Sequence, residues 1–175
     1  MFLAVIIPGT HTGGRVGLEE ALTARRAAVL ERWLQAAFAT YPAQTARFLG
    51  GVADPFGNPV GHTLRTGLAR LYDALAAGRP AEEMAAAADG IVRIRAVQEF
   101  TPSAAVGFVP ALRGILREEL AGAGLADAER AAVEDGVDRM ALAAFDVYMQ
   151  CREKLFQIRV RELRDARHLA ARVGA

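Results

Sequence analysis

After residue 8, apolar positions recur every three to four residues almost without interruption, and the apolar/polar alternation of a strand is absent. From about Leu18 to Thr40, the side chains of Leu22, Val29, Leu30, Trp33, Leu34, Ala37 and Phe38 share one arc at 100° per residue. Glu19 and Glu20 fall in the first turn, where the helix dipole favours acid, and Tyr41-Pro42 ends the run. A short helix over Ala43 to Leu49 stops at Gly50-Gly51. Asn58 is placed to cap a helix whose first residue is Pro59, and Val60, Leu64, Leu68, Leu71, Tyr72 and Leu75 stripe that helix to Ala77. Gly78 suits its end, and Pro80 opens a third long helix from about Ala81 to Glu99. Thr101-Pro102 repeats the cap-then-proline signal for a fourth, in which Pro110 cannot donate to Val106 and predicts a kink. The last helix, capped by Asp127, reads through to about Arg167. Five main helices and one short one define an all-α chain.

The last helix would be ~60 Å long at 1.5 Å per residue, longer than a small domain is wide. Its apolar residues, among them Val137, Met140, Ala144, Phe145, Tyr148, Cys151, Leu155 and Phe156, cover more than half its circumference. A surface helix needs a stripe of only ~100°, so this one is expected to pack on its own domain and on something else. Phe145, Tyr148, Arg152, Leu155 and Arg159 are the candidate residues there for a dimer interface. Arg152 and Arg159 fall on its apolar arc, to snorkel at the edge or to pair across the interface.

The third long helix carries the most informative interruption. With Ile91 as reference, Met84, Ala87, Ala88, Ile94, Arg95 and Gln98 lie within about 60° of it, and Arg93 points the opposite way. Arg95 and Gln98 are thus expected to face inward, and Arg93 to face water. A guanidinium facing the core needs acceptors. Two readings satisfy that need: an internal network in which Arg95 bonds helix-end carbonyls or a carboxylate, or a pocket for a small polar or anionic ligand formed by Arg95, Gln98, Ile91 and Thr101.

Composition narrows the function. The chain of 175 residues carries 21 basic and 20 acidic groups, a net charge of +1, which argues against a charge-driven nucleic-acid binder. About a fifth is alanine and every cation but Lys154 is arginine, both strong helix formers. Cys151 is the one cysteine, so no internal disulfide is expected and a reducing, cytoplasmic setting is. Nothing approaches the ~18 to 20 apolar residues of a membrane span. Met1 to Ile7 is apolar but lacks the flanks of a secretory signal, so residues 1–16 read as an arm, 17–167 as one domain and 168–175 as a tail. His11, His62 and His168 form no ligand spacing, and no metal or cofactor is expected. No nucleophile elbow, phosphate loop or dinucleotide fingerprint occurs. Glu118 and Glu119, adjacent on a helix, point apart and make a poor acid/base pair. Cys151 reads as an inert buried thiol. The chain is expected to be no enzyme.

Several segments resemble a known family: Arg93-Ile94-Arg95-Ala96-Val97-Gln98-Glu99-Phe100-Thr101-Pro102-Ser103-Ala104-Ala105-Val106, Leu30-Glu31-Arg32-Trp33, the Tyr41-Pro42 break, Phe48-Leu49, Asp54 to Gly61 and Cys151-Arg152-Glu153. Together they resemble the N-terminal domain of the RsbT co-antagonists, the RsbR/RsbRD proteins of stressosomes, over about Gly17 to Arg167. The resemblance implies a globin-like sensory domain without haem, dimeric, whose last helix leads to a phosphorylatable STAS domain. No histidine lies in the third or fourth long helix to ligate haem, in keeping with it. The resemblance runs out with the last helix, so no STAS domain is expected here. The expectation is therefore a cytoplasmic, haem-free sensor or regulatory module that signals through protein contacts, with a STAS or kinase component as candidate partner and a small ligand near Arg95. The competing expectation is a ligand-free structural adaptor of a larger complex, and stand-alone relatives point to anaerobic sulfur respiration as a setting.

Overall fold

The structure is a computed structural model and describes residues 17–51, 54 and 56–173, with side chains described to residue 168; the expected N-terminal arm lies outside the described residues. Among the described residues seven helices follow one another: α1 (Leu18–Phe38), α2 (Ala43–Gly51), α3 (Pro59–Ala76), α4 (Ala81–Val97), α5 (Pro102–Val106), α6 (Phe108–Glu119) and α7 (Asp127–Val173). No strand occurs among the described residues, and the all-α reading holds.

The helix starts follow local chemistry. Asn58 is buried; its Oδ1 accepts from Gly61 N at 2.8 Å to cap α3, and its Nδ2 donates to Leu49 O at 2.9 Å, tying the end of α2 to the start of α3. A Cβ on Gly61 would meet that side chain at 2.3 Å, so only glycine fits under the cap. Gly78 ends α3 at φ +60, where its N–H reaches Leu75 O and that of Arg79 reaches Ala74 O, a left-handed stop. Asp127 is the first residue of α7 rather than its cap. Glu129 instead reaches back to accept from Ala126 N at 2.7 Å, satisfying a donor that the helix start leaves free.

Pro110 acts more strongly than a kink. The expected fourth long helix is two helices, α5 and α6, parted at Gly107, three residues ahead of the proline. Pro110 removes the bond to Val106 and its ring crowds that carbonyl, so the preceding turn separates. Gly107 admits the break at close quarters, since a Cβ there would meet Ser103 O at 2.7 Å.

One core joins the helices. Val29, Trp33, Ala37, Leu71, Met84, Ala88, Val92, Val109, Leu112, Met140 and Ala144 are fully buried. Trp33 donates to Phe108 O at 2.6 Å and stacks on the Phe108 ring, fixing α1 across the start of α6. Truncating a buried tryptophan of this kind to alanine costs roughly 3–5 kcal/mol. Gly67 lets α4 approach α3, because a Cβ there would collide with Ile91 Cδ1 at 2.7 Å. α7 is buried through Val133, Val137, Met140, Ala144, Val147, Tyr148 and Cys151, then leaves the core. Beyond Leu155, every described side chain is exposed except the half-buried Val160.

Candidate functional site

The end of α4 is where the sequence placed chemistry, and it is a knot. Arg95 is 0% exposed. Its Nη1 donates to Ala104 O at 3.1 Å and Ala105 O at 3.4 Å, and its Nη2 to Ala37 O at 3.2 Å and Thr40 Oγ1 at 3.1 Å. Thr40 in turn donates to Ala37 O at 2.7 Å. The rings of Tyr41, Phe100 and Phe108 stand 5.4, 5.3 and 5.0 Å from the guanidinium carbon. Neutral oxygens and aromatic faces thus hold the cation, with no carboxylate among its described partners. Burial pushes this guanidinium below the usual arginine range, and the neighbouring Tyr41 hydroxyl works against that shift. Neither Arg95 Nε nor Tyr41 Oη makes a hydrogen bond of good geometry.

The internal network is therefore what the structure contains, and the four residues expected to line a pocket do not gather around an opening. Ile91 is buried where α4 meets Gly67. Gln98 is exposed, not inward-facing. The 100° projection fails for it because α4 ends at Val97: Gln98 is the cap residue and Glu99 turns to φ 60. Glu99 N then reaches Ala96 O and Phe100 N reaches Arg95 O, the paired bonds of a left-handed helix stop. Glu99 is the one non-glycine residue at positive φ among the described residues, a conformation that side chains other than glycine adopt at a cost. Thr101 is exposed and caps α5 through Ala104 N at 3.4 Å. Arg93 faces outward and pairs with Asp89 at 2.6 Å, as its angle predicts.

α7 reads this junction at two points. Tyr148 Oη donates to Phe100 O at 2.7 Å, and Arg159 Nη2 donates to Glu99 Oε1 at 3.1 Å. Tyr148 is thus buried in its own chain. Leu155 packs part-buried against the same core. Phe145 and Arg159 face outward and Arg152 is half-buried.

The outward face of α7 carries a pattern that a helical projection hides. Leu142, Met149, Phe156 and Leu163 stand seven residues apart and are 67, 48, 63 and 66% exposed. Phe145, Arg152 and Arg159 alternate with them at the second seam position. A period of seven is the mark of a coiled coil, and the sequence carries it at 3.5 residues per turn instead of 3.6.

Other expected sites resolve simply. Glu118 and Glu119 converge, both held by Arg32, the latter at 2.8 Å; long side chains on adjacent positions can reach one guanidinium between them. Cys151 is buried as a free thiol. His62 is exposed early in α3, His168 is exposed near the end of α7, and His11 lies outside the described residues. Among the described residues, no three His, Cys, Asp or Glu side chains gather to hold a metal, and no helix is long and apolar enough to cross a membrane.

Residues 27–163 match the family model of the RsbT co-antagonist protein RsbRD N-terminal domain, and the chain belongs to that family. The all-helical structure with its long last helix is consistent with a globin-like fold, and the family is a signalling one in stress-response regulation. No curated protein and no solved structure matches the chain.

Proposed function

We propose that the chain is a haem-free, non-enzymatic signalling module that works as a homodimer in the cytoplasm. Two copies of α7 pair in parallel through Leu142, Phe145, Met149, Arg152, Phe156, Arg159 and Leu163. The exposed seven-residue repeat is the observation that carries this reading, because four large apolar side chains on one line of a solvated helix call for a partner of the same period. The α4–α5 junction touches α7 through Tyr148 and Arg159, so a change in the globular part alters the helix that a STAS-type or kinase component would contact. Sedimentation equilibrium tests it. The native chain should sediment as a dimer and Phe156→Glu/Leu163→Glu as a folded monomer. A monomeric native chain, or a dimer indifferent to both charges, overturns the reading.

A ligand-free adaptor is the second reading. The Arg95 nest, filled by the chain's own carbonyls, favours it. Pull-down with Arg93→Glu and Arg164→Glu variants separates the two: an adaptor holds one firm partner under all conditions, whereas a signalling module holds its partner conditionally.

A further inference from the structure

A second feature lies at the opposite end of α7 from the coiled-coil seam. α6 and the first turns of α7 run side by side, joined by the left-handed turn at Gly124, φ +66. Between them opens a cleft of about 330 Å³. Leu116, Leu120, Leu125, Val133 and Val137 form its apolar floor, and Arg113, Arg117 and Arg130 its rim. The rim holds more cation than its carboxylates neutralise. Arg117 is paired with Glu134 at 2.7 Å and Arg113 Nη2 with Asp138, while Arg130 donates only to the backbone oxygen of Leu125 at 3.1 Å. Arg130 thus brings the cleft a cation that no carboxylate among the described residues offsets.

We propose that this cleft binds a small amphiphilic carboxylate, its head on Arg113 and Arg130 and its apolar tail on the leucine and valine floor. An apolar floor with a few converging polar groups is the usual build of a small-molecule site, and guanidinium groups match a carboxylate's two oxygens. Taking about 30 Å³ per non-hydrogen atom from the share of a water molecule, the volume admits a ligand of about ten such atoms. Octanoate has that size. The site is distinct from the Arg95 nest and does not depend on the dimer, so its failure leaves the signalling reading standing.

Calorimetric titration of the full chain with sodium octanoate tests the site. Octanoate should bind at least tenfold more tightly than octan-1-ol, which has the tail without the charge, and than butyrate, which has the charge without the tail. Arg113→Met, which keeps the stem and removes the donors, should weaken octanoate at least tenfold. Ala121→Leu, at the mouth of the cleft, should do the same without touching a charge and serves if the arginine variant fails to fold. Amide shifts on binding should centre on residues 113–137. Octanoate binding no tighter than octanol, unaffected by both variants, or shifting amides elsewhere overturns the proposal.

Discussion

Arg95 Nη2 donates to the carbonyl oxygen of Ala37 at 3.2 Å across 58 residues of chain. That carbonyl belongs to the last turn of α1, past the end of its helical ladder, where Thr40 also reaches it through its hydroxyl at 2.7 Å. One guanidinium therefore helps close α1 and, through Nη1, grips the last residues of α5. Its planar fork serves both ends at once. A lysine ammonium reaches one of them and leaves the rest of the nest unpaired around a buried charge. Arg95→Lys should cost about 2–4 kcal/mol, and Arg95→Met about as much by removing the hydrogen bonds that fill the nest. Urea denaturation measures both; a loss below about 0.5 kcal/mol for either would place the two helix ends under other control.

The sequence revealed most clearly what short-range chemistry decides. Asn58-Pro59, Gly78 and Thr101-Pro102 mark helix ends because caps, fixed φ and left-handed stops act within one turn. Arg95 was placed inward by angle alone, and its need for acceptors followed from its charge. The acceptors themselves did not follow, because Ala37 and Ala104 present backbone oxygens that any residue would offer. Gln98 was misplaced because the projection ran past the helix end, where Glu99 adopts a conformation its residue type does not advertise. The burial of Tyr148 within its own chain is not legible either, because a broad apolar arc cannot say which part faces inward. The exposed line from Leu142 to Leu163 needed a second trial period, and the cleft between α6 and α7 needed coordinates, since its arginines and leucines look ordinary one at a time.

Asn58 uses both ends of its amide, so the two isosteric halves of its role can be parted. Asn58→Asp keeps the acceptor that caps Gly61 N but exchanges the donor for a carboxylate oxygen facing Leu49 O. Asn58→Ala loses both. The alanine variant should cost about 2 kcal/mol, a cap plus a buried bond, and the aspartate variant at least as much despite being a competent cap. Thermal unfolding checks the order. An aspartate variant as stable as the native chain would mean that the cap alone matters.

Tyr72 predicts an alkaline limit. Its hydroxyl is buried and donates to Leu22 O at 2.7 Å, and burial pushes its pKa from the ordinary 10 up to about 12. The folded state therefore keeps a proton that the unfolded chain gives up between those two values. Its contribution to stability is complete below pH 10 and falls as pH rises towards 12, by at most about 1.4 kcal/mol per unit. Denaturation midpoints from pH 9 to 11.5 should bend downward for the native chain and bend less for Tyr72→Phe. Equal slopes would show that another group sets the limit.

Glu99 combines an awkward backbone with an exposed ion pair, and the two can be separated. Glycine adopts φ 60 without penalty, so Glu99→Gly should recover about 1 kcal/mol of strain. It also deletes the pair with Arg159, whose partners are 63 and 71% exposed and so contribute little to folding. The net expectation is a fold as stable as the native one or more stable by up to about 1 kcal/mol. Yet the same change removes one of the two side-chain hydrogen bonds described between the α4–α5 junction and α7. Amide exchange near Arg159 should therefore quicken in Glu99→Gly while the core slows or stays level. Glu99→Gln keeps the strain and loses only the charge, so it should quicken the same amides without raising stability. If Glu99→Gly instead weakens the whole fold, the carboxylate holds more than the tether, and the strained residue is there for stability and not for coupling.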